Sequence, residues 1–182
     1  MAHMKRYMIP KFWPVPKKER KFLIRPGSGP HPLNFCIPLQ ILVKNILGYA
    51  GSSKEAKKII KAGKILVDKK KRLDPKFPVG LMDIIEIPET KEFFRVLLDK
   101  NGLKLEKTGK EEAGRKLCKI CGKKNLRGGI LQINLHDGRN ILVKGRTPYR
   151  PGDSLLISLP EQKVLKHLRL DSGIEALIIA GA

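Results

Sequence analysis

Ser52-Ser53-Lys54-Glu55-Ala56-Lys57-Lys58-Ile59-Ile60-Lys61-Ala62-Gly63-Lys64-Ile65-Leu66-Val67-Asp68 is the stretch on which the fold reading turns. Ser52 followed three residues later by Glu55 is a capping box, the reciprocal arrangement that starts a helix. Gly63 closes the helix, since glycine accepts the left-handed backbone of a helix end. Ala56, Ile59, Ile60 and Gly63 share one face of it. Lys54, Lys57, Lys58 and Lys61 share the adjoining face at spacing i, i+3, i+4, i+7. Like charges so placed destabilise an isolated helix by about 0.2–0.5 kcal/mol per pair. A face that only serves solubility mixes signs, whereas this one carries a single acid, Glu55. The stripe therefore predicts contact with a polyanion.

Working outward, Leu39, Leu42, Val43, Ile46 and Leu47 recur with helical period, so a first helix precedes, ended by Gly48 and Gly51 and bearing Lys44. Lys64 to Val67 reads as a strand. Asp68-Lys69-Lys70-Lys71-Arg72 is a basic turn, and Met82 to Ile87 is a returning strand, with Pro75, Pro78 and Gly80 shaping the connection. Residues 37–88 thus form a two-helix module with a small sheet.

Residues 1–36 read as an extended basic arm. Pro10, Pro14, Pro16, Pro26, Pro30 and Pro32 block helix, and Lys5, Arg6, Lys11, Lys17, Lys18, Arg20, Lys21 and Arg25 lie among them. Such a segment threads along phosphates or remains a solvated tail. Trp13 either stacks on a base or plugs an apolar crevice. His31 either satisfies backbone or contacts RNA.

Residues 89–170 read as a β-rich central domain. Phe93 to Leu98 and Leu103 to Leu105 flank Asn101-Gly102, and Ile130 to Leu135 and Asn140 to Val143 flank Asp137-Gly138, which predicts two hairpins. Glu111 to Lys116 is a single helical turn, Leu155 to Leu159 is a strand, and Ile174 to Ala182 begins like another. The class is α+β, in several modules.

The charge balance agrees with a polyanionic partner. The 182 residues hold 38 Lys and Arg against 17 Asp and Glu, a net charge of +21. Residues 1–72 hold 18 against 3 of these, a surplus of 15, so the partner is expected mainly there. Nucleic acid fits best, with an anionic membrane a distant second. No stretch approaches the ~20 apolar residues of a membrane span, and no signal peptide is visible. Three cysteines are no disulfide framework, which fits a reducing, intracellular setting.

The stretch 52–68 closely resembles the S4 RNA-binding module. Carried over position by position, its RNA-facing roles fall on Ser53, Lys54, Lys57, Lys58, Lys61 and Lys64, and the basic turn Lys69, Lys70, Lys71 and Arg72 adjoins them. Further blocks resemble the archaeal and eukaryotic small-subunit ribosomal protein family S4e: Lys5-Arg6, Pro10-Lys11-Phe12-Trp13-Pro14, Arg25-Pro26, Gly29-Pro30-His31, Phe77 to Asp83, Lys116-Leu117-Cys118-Lys119 and Leu135-His136-Asp137-Gly138-Arg139-Asn140. They lie in the family order and cover essentially the whole chain. The resemblance implies a noncatalytic protein that binds small-subunit ribosomal RNA in the cytoplasm and touches neighbouring ribosomal proteins. It implies no cofactor, no membrane and no homo-oligomer. It also implies an SH3-like KOW barrel after the central domain, of which residues 171–182 supply only a remnant or truncated start.

Three competing readings attach to single motifs. Cys118-Lys119-Ile120-Cys121 has the spacing of two zinc ligands, with Cys36, His136 and His167 as candidate partners, but an isolated pair is weak, and packed or free thiols are the expectation. His136-Asp137-Gly138-Arg139-Asn140 is read as a turn whose Arg139 and Asn140 add RNA contacts, since no partnered nucleophile is evident. Arg72-Leu73-Asp74 and Arg169-Leu170-Asp171 echo the Arg-Leu-Asp block of pseudouridine synthases that carry an S4 module. The chain offers no catalytic domain around either. A free-standing S4-type RNA chaperone is the remaining rival.

Overall fold

The capping box forms as its spacing requires. Glu55 N–H donates to Ser52 Oγ at 3.2 Å, and Glu55 Oε2 accepts from the backbone N–H of Ser52 at 3.3 Å and of Gly51 at 3.0 Å. The helix it starts, α2, runs Ser53–Lys61, and Gly63 follows at φ 71°, the left-handed geometry that ends it. The computed structural model describes residues 3–19, 21–99, 102–145 and 148–178, and it divides into two compact units, residues 1–113 and 114–182.

In the first unit, strands β1 (His3–Lys5) and β2 (Phe22–Ile24) pair antiparallel. Strand β3 (Cys36–Pro38) leads into α1 (Leu39–Ile41), which continues as a π-helical turn over Leu42–Ile46. After α2 come β4 (Leu66–Val67), β5 (Lys70–Lys71), β6 (Pro78–Gly80), β7 (Ile84–Ile87), β8 (Glu92–Asp99) and β9 (Gly102–Lys107). Five of them form one sheet in the order β5-β4-β7-β8-β9, while β3 pairs with β6. The tight turn between β4 and β5 places both Asp68 (φ 52°) and Lys69 (φ 63°) in left-handed backbone, the requirement of a type I′ hairpin turn. Asp68 secures it by accepting from Ile84 N–H at 3.0 Å. Strands β8 and β9 confirm the first expected hairpin, although Asn101 of its turn lies outside the described residues. These two strands extend the module's own sheet rather than opening a separate domain.

Residues 3–24 are not an arm in this structure. Ile9, Trp13, Val15 and Leu23 join one apolar core with Ile37, Leu42, Ala56, Ile60, Val67 and Phe94. Trp13 is 4% exposed, and its indole N–H donates to the Cys36 carbonyl at 2.8 Å. Close approach is bought with glycine: a Cβ on Gly102 would lie 2.2 Å from the Phe12 carbonyl oxygen, and one on Gly80 would lie 2.4 Å from the His31 ring. Prolines forbid helix here, but they do not forbid burial.

The second unit is an antiparallel sheet in the order β12-β11-β10-β13-β14. Its strands are β10 (Arg115–Leu126), β11 (Ile130–Leu135), β12 (Asn140–Lys144), β13 (Ser154–Ser158) and β14 (Val164–Leu168). A 3₁₀ turn at Glu112–Gly114 precedes it. Alternation along β10 buries Lys116, Cys118 and Ile120, and Cys121, at a register shift between Ile120 and Gly122, is exposed. Beneath the sheet Asp137 Oδ2 meets the buried Lys116 ammonium at 3.0 Å and Arg139 Nε at 3.1 Å. Burial pushes the Asp137 carboxyl up, but Lys116 and then Arg139 outweigh it and hold it below its ordinary value. The strand expected from Ile174 does not form within the described residues. Ile174, Leu177 and Ile178 are exposed, and 179–182 lie outside the description.

Candidate nucleic-acid interface

Helix α2 turns its small and branched residues inward and its lysines outward. Ala56 and Ile60 are fully buried, whereas Lys54, Lys57, Lys58 and Lys61 are exposed. Among the described residues no ion pair joins any of these four ammonium groups to a carboxylate. The helix's single acid is engaged in the cap: hydrogen bonds from the Ser52 hydroxyl and the Gly51 and Ser52 amides hold the Glu55 carboxyl below its ordinary value. Among the described residues this face is therefore not ion-paired, and its one nearby acid, Glu55, attracts Lys58 only as a minor contribution beside the cap's hydrogen bonds.

Beside α2 a cleft of about 430 Å³ opens against the β1–β2 hairpin and the first helix. It gathers Lys44, Ser53, Lys57 and Lys61 of the expected set, with the buried Arg6 at its wall. It also takes in His3, Gln40, Asn45 and Lys76, which sequence reasoning missed. Local periodicity carries no signal for these four, because the cleft is assembled from segments far apart along the chain.

The other expected contacts divide by environment. Lys5, Lys11, Lys17, Lys18, Lys21, Arg25, Lys70 and Lys71 are exposed cations. Lys64 is also exposed but pairs with Glu89 at 3.0 Å. Lys69 is half-buried, paired with Glu86 at 2.7 Å, and sits over the Phe93 ring at 5.1 Å. Arg72 stacks on Phe77 at 4.3 Å. Arg139 is tied to Asp137, and Asn140 is exposed at the start of β12.

Three residues leave the candidate surface. Trp13 is a core plug, with no ring face available for a base. Arg6 is 7% exposed, and its guanidinium donates to the Pro16 carbonyl and meets Glu19 at 3.1 Å. His31 is 6% exposed, its Nε2 lying 3.0 Å from both Asp83 carboxylate oxygens, while Asp83 also accepts from Gly80 N–H at 2.9 Å. In each case a nearby polar partner made burial cheaper than exposure.

The competing motifs are absorbed by structure. Cys118 is buried and Cys121 is exposed, and among the described residues no group of three or more His, Cys, Asp or Glu is placed to hold a metal ion. Asp74 accepts from Lys76 N–H at 2.9 Å as a turn residue, and Asp171 is exposed with Arg169 and Leu170. Among the described residues no helix is long and apolar enough to cross a membrane.

Comparison with known proteins bears on the same segments. A model of the S4 domain matches residues 37–85, one of the RS4NT domain matches 2–34, and one of the ribosomal family S4e matches 90–164. Proteins named small ribosomal subunit protein eS4 are similar over 98% of this chain: that of Methanocaldococcus jannaschii is 46% identical and covered to 76%, and that of Staphylothermus marinus is 44% identical and covered to 74%. The crystal structure of the 30S ribosomal protein S4e from Thermoplasma acidophilum superposes with a TM-score of 0.70 at 33% identity, covering 80% of this chain and 75% of that one.

Proposed function

Since the chain belongs to the ribosomal S4e family, we propose that it is a structural constituent of the small ribosomal subunit in the cytoplasm, where it holds small-subunit ribosomal RNA in support of translation. The observation that carries this reading is the lysine face of α2, which forms no ion pair with a carboxylate among the described residues. The exposed cations of residues 5–25 and of the β4–β5 turn extend the basic character of the same unit.

The mechanism is electrostatic clamping. Lysine ammonium groups take the places of counterions condensed on the phosphates, and release of those ions drives association. Phosphate contacts carry register rather than sequence, so discrimination comes from the shape of a folded RNA junction. Docking the N-terminal segment on the module fixes its cations before RNA arrives, which lowers the ordering cost of binding. Neighbouring ribosomal proteins complete the environment, and neither a membrane nor a second copy of the chain is required.

The test is a salt titration of binding to a small-subunit ribosomal RNA fragment. Each lysine on a phosphate contributes about 0.9 to the slope of log affinity against log salt. Lys57→Glu with Lys61→Glu should weaken binding and flatten the slope by about 2. Unchanged affinity and slope would remove α2 from the interface. Co-sedimentation with small subunits at moderate salt separates residence in the ribosome from a free-standing RNA chaperone.

A further inference from the structure

The second unit carries a surplus of charge that the interface on α2 leaves unused. Residues 115–152 hold ten Lys and Arg against a single acid, Asp137. Asp137 is 2% exposed and already engaged by Lys116 and Arg139. The surplus gathers where β10 turns into β11. Lys124 lies near the end of β10, Arg127 opens the turn Arg127-Gly128-Gly129, and Lys144 ends β12. Both glycines of the turn are in left-handed backbone, at φ 80° and 69°. All three cations are exposed, and among the described residues none of them forms an ion pair.

Strand register puts two of them on one face. Lys124 stands opposite Gln132, which stands opposite Leu142, while Lys144 stands opposite Ile130, which stands opposite Leu126. Cross-strand partners share a face. The intervening Leu131, Ile133 and Ile141 are buried in the core, so this face looks outward. Lys124 and Lys144 are two strands apart, ~10 Å across the sheet. Asn134 and Asn140 continue the face with amides, and Leu142, 61% exposed, is its main apolar element. Cations and amides without a carboxylate fit a phosphate-bearing partner. No ring is offered to a base: Tyr149 is the one Phe, Tyr or Trp of residues 114–182, and it packs against the core and edge-on to His167 at 4.8 Å. Unstacked bases are held on such rings, whereas double-helical RNA is bound through its backbone.

We propose that the outward face of β10, β11 and β12, with its hairpin tip, is a second RNA contact. It takes the phosphate backbone of a double-helical segment through Lys124, Arg127 and Lys144, with Asn140 on the same face. The proposal rests on the RNA reading above and adds to it a site on the other unit, built from residues outside the two-helix module. Two contacts on separate units hold RNA by multivalency: once one is made, the other forms at the high local concentration the first creates.

The experiment uses the full chain, a fully paired RNA hairpin and the ribosomal RNA fragment. Lys124→Gln, Arg127→Gln and Lys144→Gln together should weaken binding of the paired hairpin and flatten its salt slope by about 2–3, at about 0.9 per phosphate contact. A matched control, Lys163→Gln, Lys166→Gln and Arg169→Gln, removes the same charge along and beside β14, the other edge of the sheet. It should flatten the slope by less than about 1. Acetylation of the unsubstituted chain reads the site without any variant: bound hairpin RNA should shield Lys124 and Lys144 severalfold and leave Lys166 reactive. Equal loss of slope in the two triple variants would overturn the site, as would Lys124 and Lys144 no less reactive with RNA than without it. An unchanged slope with weaker co-sedimentation on small subunits would also overturn it and make the face a dock for an acidic protein. In each of these cases the RNA reading stands if Lys57→Glu with Lys61→Glu still flattens the slope. No binding of the unsubstituted chain to hairpin or fragment would overturn both.

Discussion

Trp13→Ala tests whether the N-terminal segment belongs to the folded unit. The indole is 4% exposed within a core shared with Ile37, Leu42 and Ile60, and its N–H satisfies the Cys36 carbonyl at 2.8 Å. Truncating a buried large aromatic costs about 3–5 kcal/mol in transfer and cavity terms. An orphaned carbonyl adds about 1 kcal/mol. An upper limit also applies, since residues 3–24 can detach, and the loss cannot exceed the free energy of docking them. A net cost of about 3 kcal/mol is expected, and at ~4–8 °C per kcal/mol the first unit's transition falls by more than 10 °C. Calorimetry of the full chain reads both units, with residues 114–182 as the internal reference. Trp13→Phe, which keeps most of the volume and loses the hydrogen bond, should cost about 1–2 kcal/mol. A first transition that moves less than about 2 °C in Trp13→Ala would show the segment to be solvated, and the account of the core would fail.

Two further outcomes follow from named contacts. Asp137→Asn removes the carboxylate from the buried Lys116 and should destabilise the second unit by about 3–5 kcal/mol. Because Asp137 is held below its ordinary 3.8, its contribution is fully present above about pH 4 and is lost as pH falls through the lowered value. Acid unfolding of the second unit should lose that dependence in the variant, and an unaltered acid limb would refute the assignment. Ser52→Ala deletes the acceptor of the Glu55 N–H and should cost about 1 kcal/mol by urea unfolding. No change would mean that the cap contributes nothing to the unit.

What the sequence made legible is what is local. Ser52 and Glu55 sit three apart and decide a helix start by themselves, and the lysine stripe needs only helical geometry to become a face. The hairpins at 92–107 and 130–144 follow from alternation and turn residues. The misreadings have a common cause in contacts made at long range. Ile9, Trp13, Val15 and Leu23 show no period, and prolines and lysines surround them, so the core they join is invisible until β3, α1 and α2 are in place. Arg6 reads as a surface cation, and His31 stays open between backbone and RNA, because their partners Glu19 and Asp83 are identified only by folding. Strand β10 was obscured by a motif whose spacing suggested metal. In the folded strand one of its two thiols is buried and the other exposed, beside a register shift between Ile120 and Gly122. The family resemblance located the module correctly but gave no hint of the cleft, which draws on five separate segments.

The disposition of the three thiols has a practical use. Burial, with Asp83 nearby, pushes Cys36 up to about 12, and Cys118 is sealed beneath its sheet. Cys121 lies open to solvent. Alkylating dyes react with thiolate they can reach, so the unaltered polypeptide carries a ready-made attachment point for a fluorophore in its second unit. Encounter with RNA can then be followed by anisotropy without engineering a single side chain.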